Sequence, residues 1–283
     1  MTWIWDFYRS NPQIVWEIFK FIRPRELAFV PTRRLAKAGQ RAHRHINCGR
    51  IGVLWRKLKW HYGYKEGWHL FGSLQYVVKT LYGRPVSLRE FWLTWGFDVT
   101  LDLDAKEEKG LTLEDAWHDA LAIAEFYDEW SLPYYVVFSG RRGFHVTVPW
   151  RYPYGQETGT PYLEAHFAPE DFTDVGRAWT ALVMERLGPR TLEAHTTYKV
   201  KGLIRAPWSI HPVSGLVALP LRPEDLRDFD PHDPYVARPE VAARMDAQAR
   251  GLCLRNEGLR GAEGLLEFVE EALRPAMRRV LGI

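Results

Sequence analysis

Residues 97–104, FDVTLDLD, alternate strictly between apolar and polar side chains: Phe97, Val99, Leu101 and Leu103 against Asp98, Thr100, Asp102 and Asp104. A period of two over eight residues marks a β-strand with one buried face. Side chains two apart point the same way, so this strand carries Asp102 and Asp104 on a single face. The following residues tell what packs on it. Thr112-Leu-Glu-Asp115 has the form of a helix start, a hydroxyl at the N-cap with an acid three residues later. Behind it, Leu113, Ala116, Trp117, Ala120, Leu121 and Ala124 fall on one apolar stripe at helical spacing, and the helix should end before Pro133. Tyr134–Phe138 predicts a second strand, Ser139-Gly-Arg-Arg-Gly143 a glycine-bounded turn, and Phe144–Pro149 a third strand. In that third strand Phe144, Val146 and Val148 face inward and His145 outward.

Elsewhere the pattern is coarser. Residues 13–22 have the spacing of a short amphipathic helix, whereas 23 to about 90 is basic, aromatic and without a clear period. The Pro-, Gly- and Tyr-rich stretch 151–169 reads as a surface excursion. Asp171–Leu187 predicts a helix stopped by Gly188-Pro189, followed by short strands around 202–206 and 215–220. Pro223–Pro239 reads as loop, with helices near 239–250 and 262–281. Strands interleaved with helices, without an internal repeat, imply an α/β or α+β sheet domain.

Composition narrows the classes of function. Only Cys48 and Cys253 are present, far apart, which excludes a disulfide framework and any multi-cysteine zinc site, so a reducing cytoplasm is the expected setting. Asp6 and Arg9 interrupt the N-terminus where a signal peptide needs an unbroken apolar stretch, and no apolar run approaches a membrane span. A net charge of +3 says little, but its distribution says more. Arg23, Arg25, Arg33, Arg34, Lys37, Arg41, Arg44, Arg50 and Arg56 face only Glu26, which reads either as a solvated face or as a surface that tracks phosphates. The chain is also rich in Trp, Tyr and Phe, side chains that fill cores and also stack on bases.

Two carboxylates two residues apart on a strand repel unless a cation lies between them, and hard Mg²⁺ or Mn²⁺ is the natural occupant. Taken alone, an Asp-x-Asp pair is most often solvated surface. The Ser139–Gly143 turn adds weight: Gly140 and Gly143 let the backbone approach a ligand, and Arg141 and Arg142 supply forked donors suited to phosphate oxygens. A basic glycine turn can also be merely a hairpin. A third cluster, LIRAPWSIHPVSG at 203–215, offers Arg205 and His211, and Glu193 upstream is a candidate third carboxylate.

In order and spacing, FDVTLDLD (97–104), VVFSGRRGFHVTV (136–148) and LEAHTTYKVKGLIRAPWSIHPVSG (192–215) resemble the catalytic subunit of archaeo-eukaryotic DNA primases. That family has an Asp-x-Asp strand, a Ser-Gly-x-Arg-Gly-x-His segment, then an acid followed by a basic residue and Pro-x-Ser-x-His-Pro-x-x-Gly. The resemblance spans roughly residues 97–220, with a looser echo in Arg25-Glu-Leu-Ala-Phe29. It implies a primase catalytic fold with an RRM-like sheet flanked by helices. It also implies one catalytic unit over residues 1–283, with an N-terminal basic part to 90, a core at 91–222 and a helical part from 223.

By the same resemblance, Asp102, Asp104 and Glu193 would hold two divalent ions, Mg²⁺ or Mn²⁺. Ser139, Arg141, Arg142 and His145 would bind the incoming triphosphate, with Arg205 and His211 completing that pocket. Implied partners are a single-stranded DNA template, a primer and NTPs or dNTPs, besides a helicase, a large primase subunit or another replication or repair protein. No membrane is implied; primase catalytic subunits often carry a zinc module, but two cysteines cannot build one, so no structural zinc is expected. The third acid departs from the family pattern, Glu193 standing where Asp is usual. The implied activity is template-dependent primer synthesis or extension. Alternatives are a repair or gap-filling polymerase of the same superfamily, a non-catalytic nucleic-acid-binding module, and an unrelated two-metal nuclease.

Overall fold

At Asp98 the chain leaves one antiparallel sheet and enters another, and this step organises the molecule. The strand expected over 97–104 is therefore two: a short one ending at Phe97 and a second beginning at Val99. The alternation itself holds across the break, with Phe97, Val99, Leu101 and Leu103 all buried. The computed structural model describes residues 2–64, 67–77, 94–151, 162–199, 202–246, 250–252, 254–255 and 259–282. Most of the stretch read as a surface excursion lies outside these.

Helices α1 (Trp3–Ser10) and α2 (Pro12–Ile22) lead into β1 (Arg25–Pro31), α3 (Arg33–Lys37), β2 (His43–Asn47), α4 (Ile51–Tyr62) and β3 (Trp68–Val77). Helix α2 is the amphipathic helix expected over 13–22, whereas β1 to β3 occupy the region whose sequence showed no period. Next come β4 (Thr94–Phe97), β5 (Val99–Asp104), α5 (Leu113–Glu129), β6 (Tyr135–Phe138) and β7 (Gly143–Val148). Then follow α6 (Phe172–Leu187), α7 (Ala194–Thr197), β8 (Leu203–Arg205), β9 (Leu219–Leu221), α8 (Pro223–Arg227) and α9 (Pro239–Ala242). Helices α10 (Leu259–Phe268) and α11 (Arg274–Leu281) complete the order. A π-turn at Val269–Leu273 joins those two, just ahead of Pro275, which has no N–H for the carbonyl four residues back. The expected loop at 223–239 contains α8, and the helix expected near 239–250 is only the single turn α9 within the described residues.

The first sheet runs β2-β1-β3-β4, with β8 also paired to β3; the second runs β5-β7-β6-β9. The α/β (α+β) class read from the sequence is thus observed, and the second sheet is RRM-like. β5, α5, β6 and β7 follow in that order, and after α6 the chain returns beside β5, where Leu103 bridges Leu192. Thr112 caps α5 as its sequence predicts: its backbone N–H donates to Asp115 Oδ2 at 2.8 Å, and its hydroxyl accepts from the Asp115 N–H at 3.3 Å. Ala116, Ala120, Ile123 and Tyr127 of this helix are buried, and residues of both sheets share one hydrophobic core. No helix among the described residues is long and apolar enough to cross a membrane.

A fully buried ion pair holds the step between the sheets. Arg25, 2% exposed, meets Asp98, 0% exposed, through Nη2 and Oδ2. Arg25 Nη1 also donates to the carbonyls of Ser73 (2.8 Å) and Leu74 (3.1 Å) on β3. Asp98 accepts from the Tyr76 hydroxyl at 2.8 Å, the Tyr135 hydroxyl at 3.3 Å and the Trp150 N–H at 2.9 Å. The Arg25 guanidinium lies over the Phe21 and Tyr76 rings, and proximity to Asp98 raises its pKa despite desolvation. Removing one partner of a buried pair strands the other charge, which costs about 3–5 kcal/mol. Asp98→Ala is therefore expected to lose stability of that order, read as a lower midpoint in urea denaturation. A loss under about 1 kcal/mol, the scale of an exposed pair, would show that the pair does not hold the sheets.

Candidate functional site

β5 places Asp102 opposite His145 and Asp104 opposite Gly143 of β7. The third acid arrives by backbone pairing. The Asp104 N–H donates to the Thr191 carbonyl at 2.8 Å and the Glu193 N–H to the Asp102 carbonyl at 2.7 Å, so Thr191–Glu193 runs alongside the Asp-x-Asp segment. Helix α5 pins that segment: Asp119 Oδ2 accepts from the Thr191 N–H (2.8 Å) and hydroxyl (2.6 Å), and Arg190 pairs with Asp115 at 2.8 Å. Gly143 is required here by space, because a Cβ on it would lie 1.8 Å from the Leu103 carbonyl oxygen.

Each acid already faces a cationic or potentially cationic group. Arg142 grips Asp104 with two bonds, Nε–Oδ1 at 2.6 Å and Nη2–Oδ2 at 2.9 Å. Lys106 meets Glu193 at 2.5 Å, and this hydrogen bond raises the lysine pKa. His145 Nε2 lies 3.5 Å from Asp102 Oδ1. His145 stands on the face expected for it, but that face is covered: the residue is only 6% exposed. Arg141 is more open and reaches Glu107 at 3.4 Å. The carboxylates supply hard oxygen donors on adjacent backbone. Even so, among the described residues no group of three or more His, Cys, Asp or Glu is gathered to hold a metal.

The glycine turn meets the third cluster. Ser139 closes the turn through its N–H to the Gly143 carbonyl at 2.9 Å, and Gly140 adopts a φ of +87°, open to glycine. The Ser214 hydroxyl donates to the Gly140 carbonyl, and a Cβ on Gly140 would lie 3.1 Å from His211 Cβ. His211 Nδ1 accepts from the N–H groups of Val213 (3.3 Å) and Ser214 (3.2 Å), so its proton sits on Nε2. Arg205 arrives from the first sheet, since β8 pairs with β3 and sets Arg205 opposite Phe71. The nine residues singled out in the sequence fall into two groups. Asp102, Asp104, Glu193, Arg142 and His145 surround the strand acids, while Arg205 and His211 stand together, with Ser139 and Arg141 in the turn between.

Two residues of this neighbourhood carried no sequence signal. Lys106 is two residues past the acids and reads as an ordinary surface lysine. His69, on β3, accepts a hydrogen bond at Nδ1 from Arg205 Nη2 at 2.9 Å, and its ring meets the His211 ring edge-to-face at 5.0 Å. Only the long-range β3–β8 pairing brings it there.

Burial keeps three histidines neutral. It pushes the pKa of His69 down to about 3, with Arg205 and Arg141 adding to the effect. It pushes His211 down to about 2, again helped by Arg205. His61, stacked on Phe29 at 3.6 Å, is pushed down to about 4. In the unfolded chain these rings titrate near about 6.5. As pH falls below that value the unfolded state takes up protons that the native state refuses, so stability drops. The urea midpoint is expected to fall steadily from pH 7.5 to 5.3, and less steeply in His69→Asn. A midpoint constant over that range would show that these rings are not held neutral.

No protein-family model matches the chain, and no curated protein matches it by sequence. Among solved structures, it is similar to the polymerase domain of Mycobacterium tuberculosis ligase D, solved in complex with DNA. The TM-score is 0.51 at 13% identity, over 95% of this chain and 88% of that one. At that identity the likeness is one of fold.

Proposed function

We propose that the protein is a template-dependent nucleotidyltransferase, a primase or primase-polymerase that synthesises or extends primers on single-stranded DNA, with residues 1–283 as one catalytic unit. The observation that supports this best is the juxtaposition of two unlike side-chain clusters. Strand-borne acids at Asp102, Asp104 and Glu193 lie on one side of the glycine turn, and the buried cation Arg205 with His211 on the other. A nucleoside triphosphate with a divalent ion presents that same polarity, metal beside phosphate.

In this reading Asp102, Asp104 and Glu193 hold Mg²⁺ or Mn²⁺, which requires Arg142 and Lys106 to release Asp104 and Glu193. A divalent ion held there supplies Lewis acidity that lowers the pKa of the attacking 3′-hydroxyl and neutralises the leaving pyrophosphate. Arg142 and Lys106, once released, are long cations placed to meet phosphate oxygens. Ser139, Arg141, His145, Arg205 and His211 bind the triphosphate, and buried Arg205 acts where a low dielectric strengthens it. The exposed cations Arg33, Arg34, Lys37, Arg50 and Arg56, with the exposed Trp60 and Tyr64, suit a single strand with stacked bases. A repair or gap-filling polymerase shares every element of this site, and ligase D's polymerase domain has the same architecture.

The test is nucleotide incorporation on single-stranded DNA, with and without an annealed primer, using NTPs and dNTPs with Mg²⁺ or Mn²⁺. Primer-free products that fall to background in Asp102→Ala/Asp104→Ala are the expected result. Extension only from a primer would assign a gap-filling polymerase instead. DNA binding without incorporation under any of these conditions would leave a binding module, and nucleotide-independent DNA degradation would indicate a nuclease.

A further inference from the structure

Arg205 is a buried cation that no carboxylate contacts among the described residues, although Asp102 acts on it through space. It is 8% exposed, its guanidinium packs 4.9 Å from the Phe71 ring centroid, and no ion pair to it is found among the described residues. One terminal nitrogen, Nη2, donates to His69 Nδ1, while Nη1 is buried with no hydrogen-bond partner among the described residues. Leaving a buried charged donor unsatisfied is costly and marks a place where a ligand completes the bonding. That ligand must be an acceptor and gains most by being an anion.

The acceptor opposite Nη2 sets how that charge is used. An arginine can only donate, so His69 meets it with an unprotonated Nδ1 and is the neutral tautomer with its proton on Nε2. A neutral acceptor orients a guanidinium without cancelling its charge, whereas a carboxylate at the same place would neutralise it and repel a phosphate. The His211 ring, held by the backbone N–H groups of Val213 and Ser214, packs edge-to-face on His69 and fixes its plane. Register places His69 opposite Val30 and Phe71 opposite Arg205, so ring and guanidinium are both carried by paired strands.

We propose that His69 is a positioning residue for phosphate binding: as a neutral acceptor it fixes the Arg205 guanidinium and leaves Nη1 and the full charge for the phosphate tail of a nucleoside triphosphate. The identity of that ligand rests on the polymerase reading; the anion site itself does not.

The experiment measures binding of inorganic tripolyphosphate and of dATP, each with Mg²⁺, by calorimetry on the full chain, with incorporation assayed separately. The Asn amide oxygen stands where His Nδ1 stands, so His69→Asn should bind within about threefold of the wild type. His69→Ala should bind about tenfold more weakly, the scale of losing one hydrogen bond to a charged group. His69→Asp keeps an acceptor but cancels the charge, so it should bind more weakly than Asn by at least as much. With dATP the loss in His69→Ala should appear in KM rather than kcat. If His69→Ala does not fold, the contrast between Asn and Asp still decides. Wild type that binds neither probe, or Ala and Asp variants that bind like wild type, would overturn the proposal. If the binding pattern holds but the wild type incorporates nothing, the polymerase reading fails and the anion site stands.

Discussion

The two charges of the Arg25–Asp98 pair lie where water does not reach, and each is answered by several further groups rather than by one partner. Buried pairs contribute little net stability over an apolar pair, but half of one is intolerable. What this pair supplies is therefore placement. Arg25 bonds the β3 carbonyls of Ser73 and Leu74, and Asp98 sits at the first step of β5. Strand β3 leads back to His69 and, through β8, to Arg205; β5 leads on to Asp102 and Asp104. One buried pair thus ties together the strands that carry Arg205 and His69 with the strand that carries the acids.

Charge is distributed unevenly between those two places, and the unevenness carries the functional reading. Around β5 every acid has a cationic or titratable neighbour, so that region is near balance and tolerates exposure to water. Arg205 contacts the neutral His69 and Phe71 rings and keeps one donor unbonded among the described residues, while Arg141 and Asp102 act on this largely buried cluster through space. A fold that only bound DNA along its surface would gain nothing from a buried unpaired guanidinium, because backbone phosphates are met by exposed, mobile cations. Under the proposal above, a buried cation beside His69 suits an anion that enters the fold.

How far the sequence foretold this follows from what each feature depends on. The capped helix α5, the strands about the Ser-Gly-Arg-Arg-Gly turn and the shared face of Asp102 and Asp104 rest on contacts close in the chain, and these were legible. The break at Asp98 was not, since alternation continues across a change of sheet and only the partner strands reveal it. Helix α4 and strands β1, β2 and β3 show no simple period: Arg25–Phe29 of β1 is buried on both faces, and the exposed side of α4 carries Trp60. His69 was invisible for a further reason. Its meaning lies in a partner 136 residues away, reached through strand pairing that no local pattern encodes.

Glu193 shows how a departure from a family pattern can be absorbed. The primase segment that this chain resembles has an aspartate there, and a glutamate extends the carboxylate by one methylene. The backbone leaves no slack to compensate, because the Glu193 N–H is bonded to the Asp102 carbonyl and Thr191 is clamped by Asp119. The extra length must be taken up by the side chain itself, which in this structure turns to Lys106. An aspartate on the same backbone would fall short of that lysine by about one carbon–carbon bond along the strand edge, leaving Lys106 to solvent. Glu193 and Lys106 are therefore better regarded as one unit than as a misplaced acid and an incidental base. Under the proposed function, Glu193 would exchange Lys106 for a metal ion without moving the backbone that holds Asp102 and Asp104.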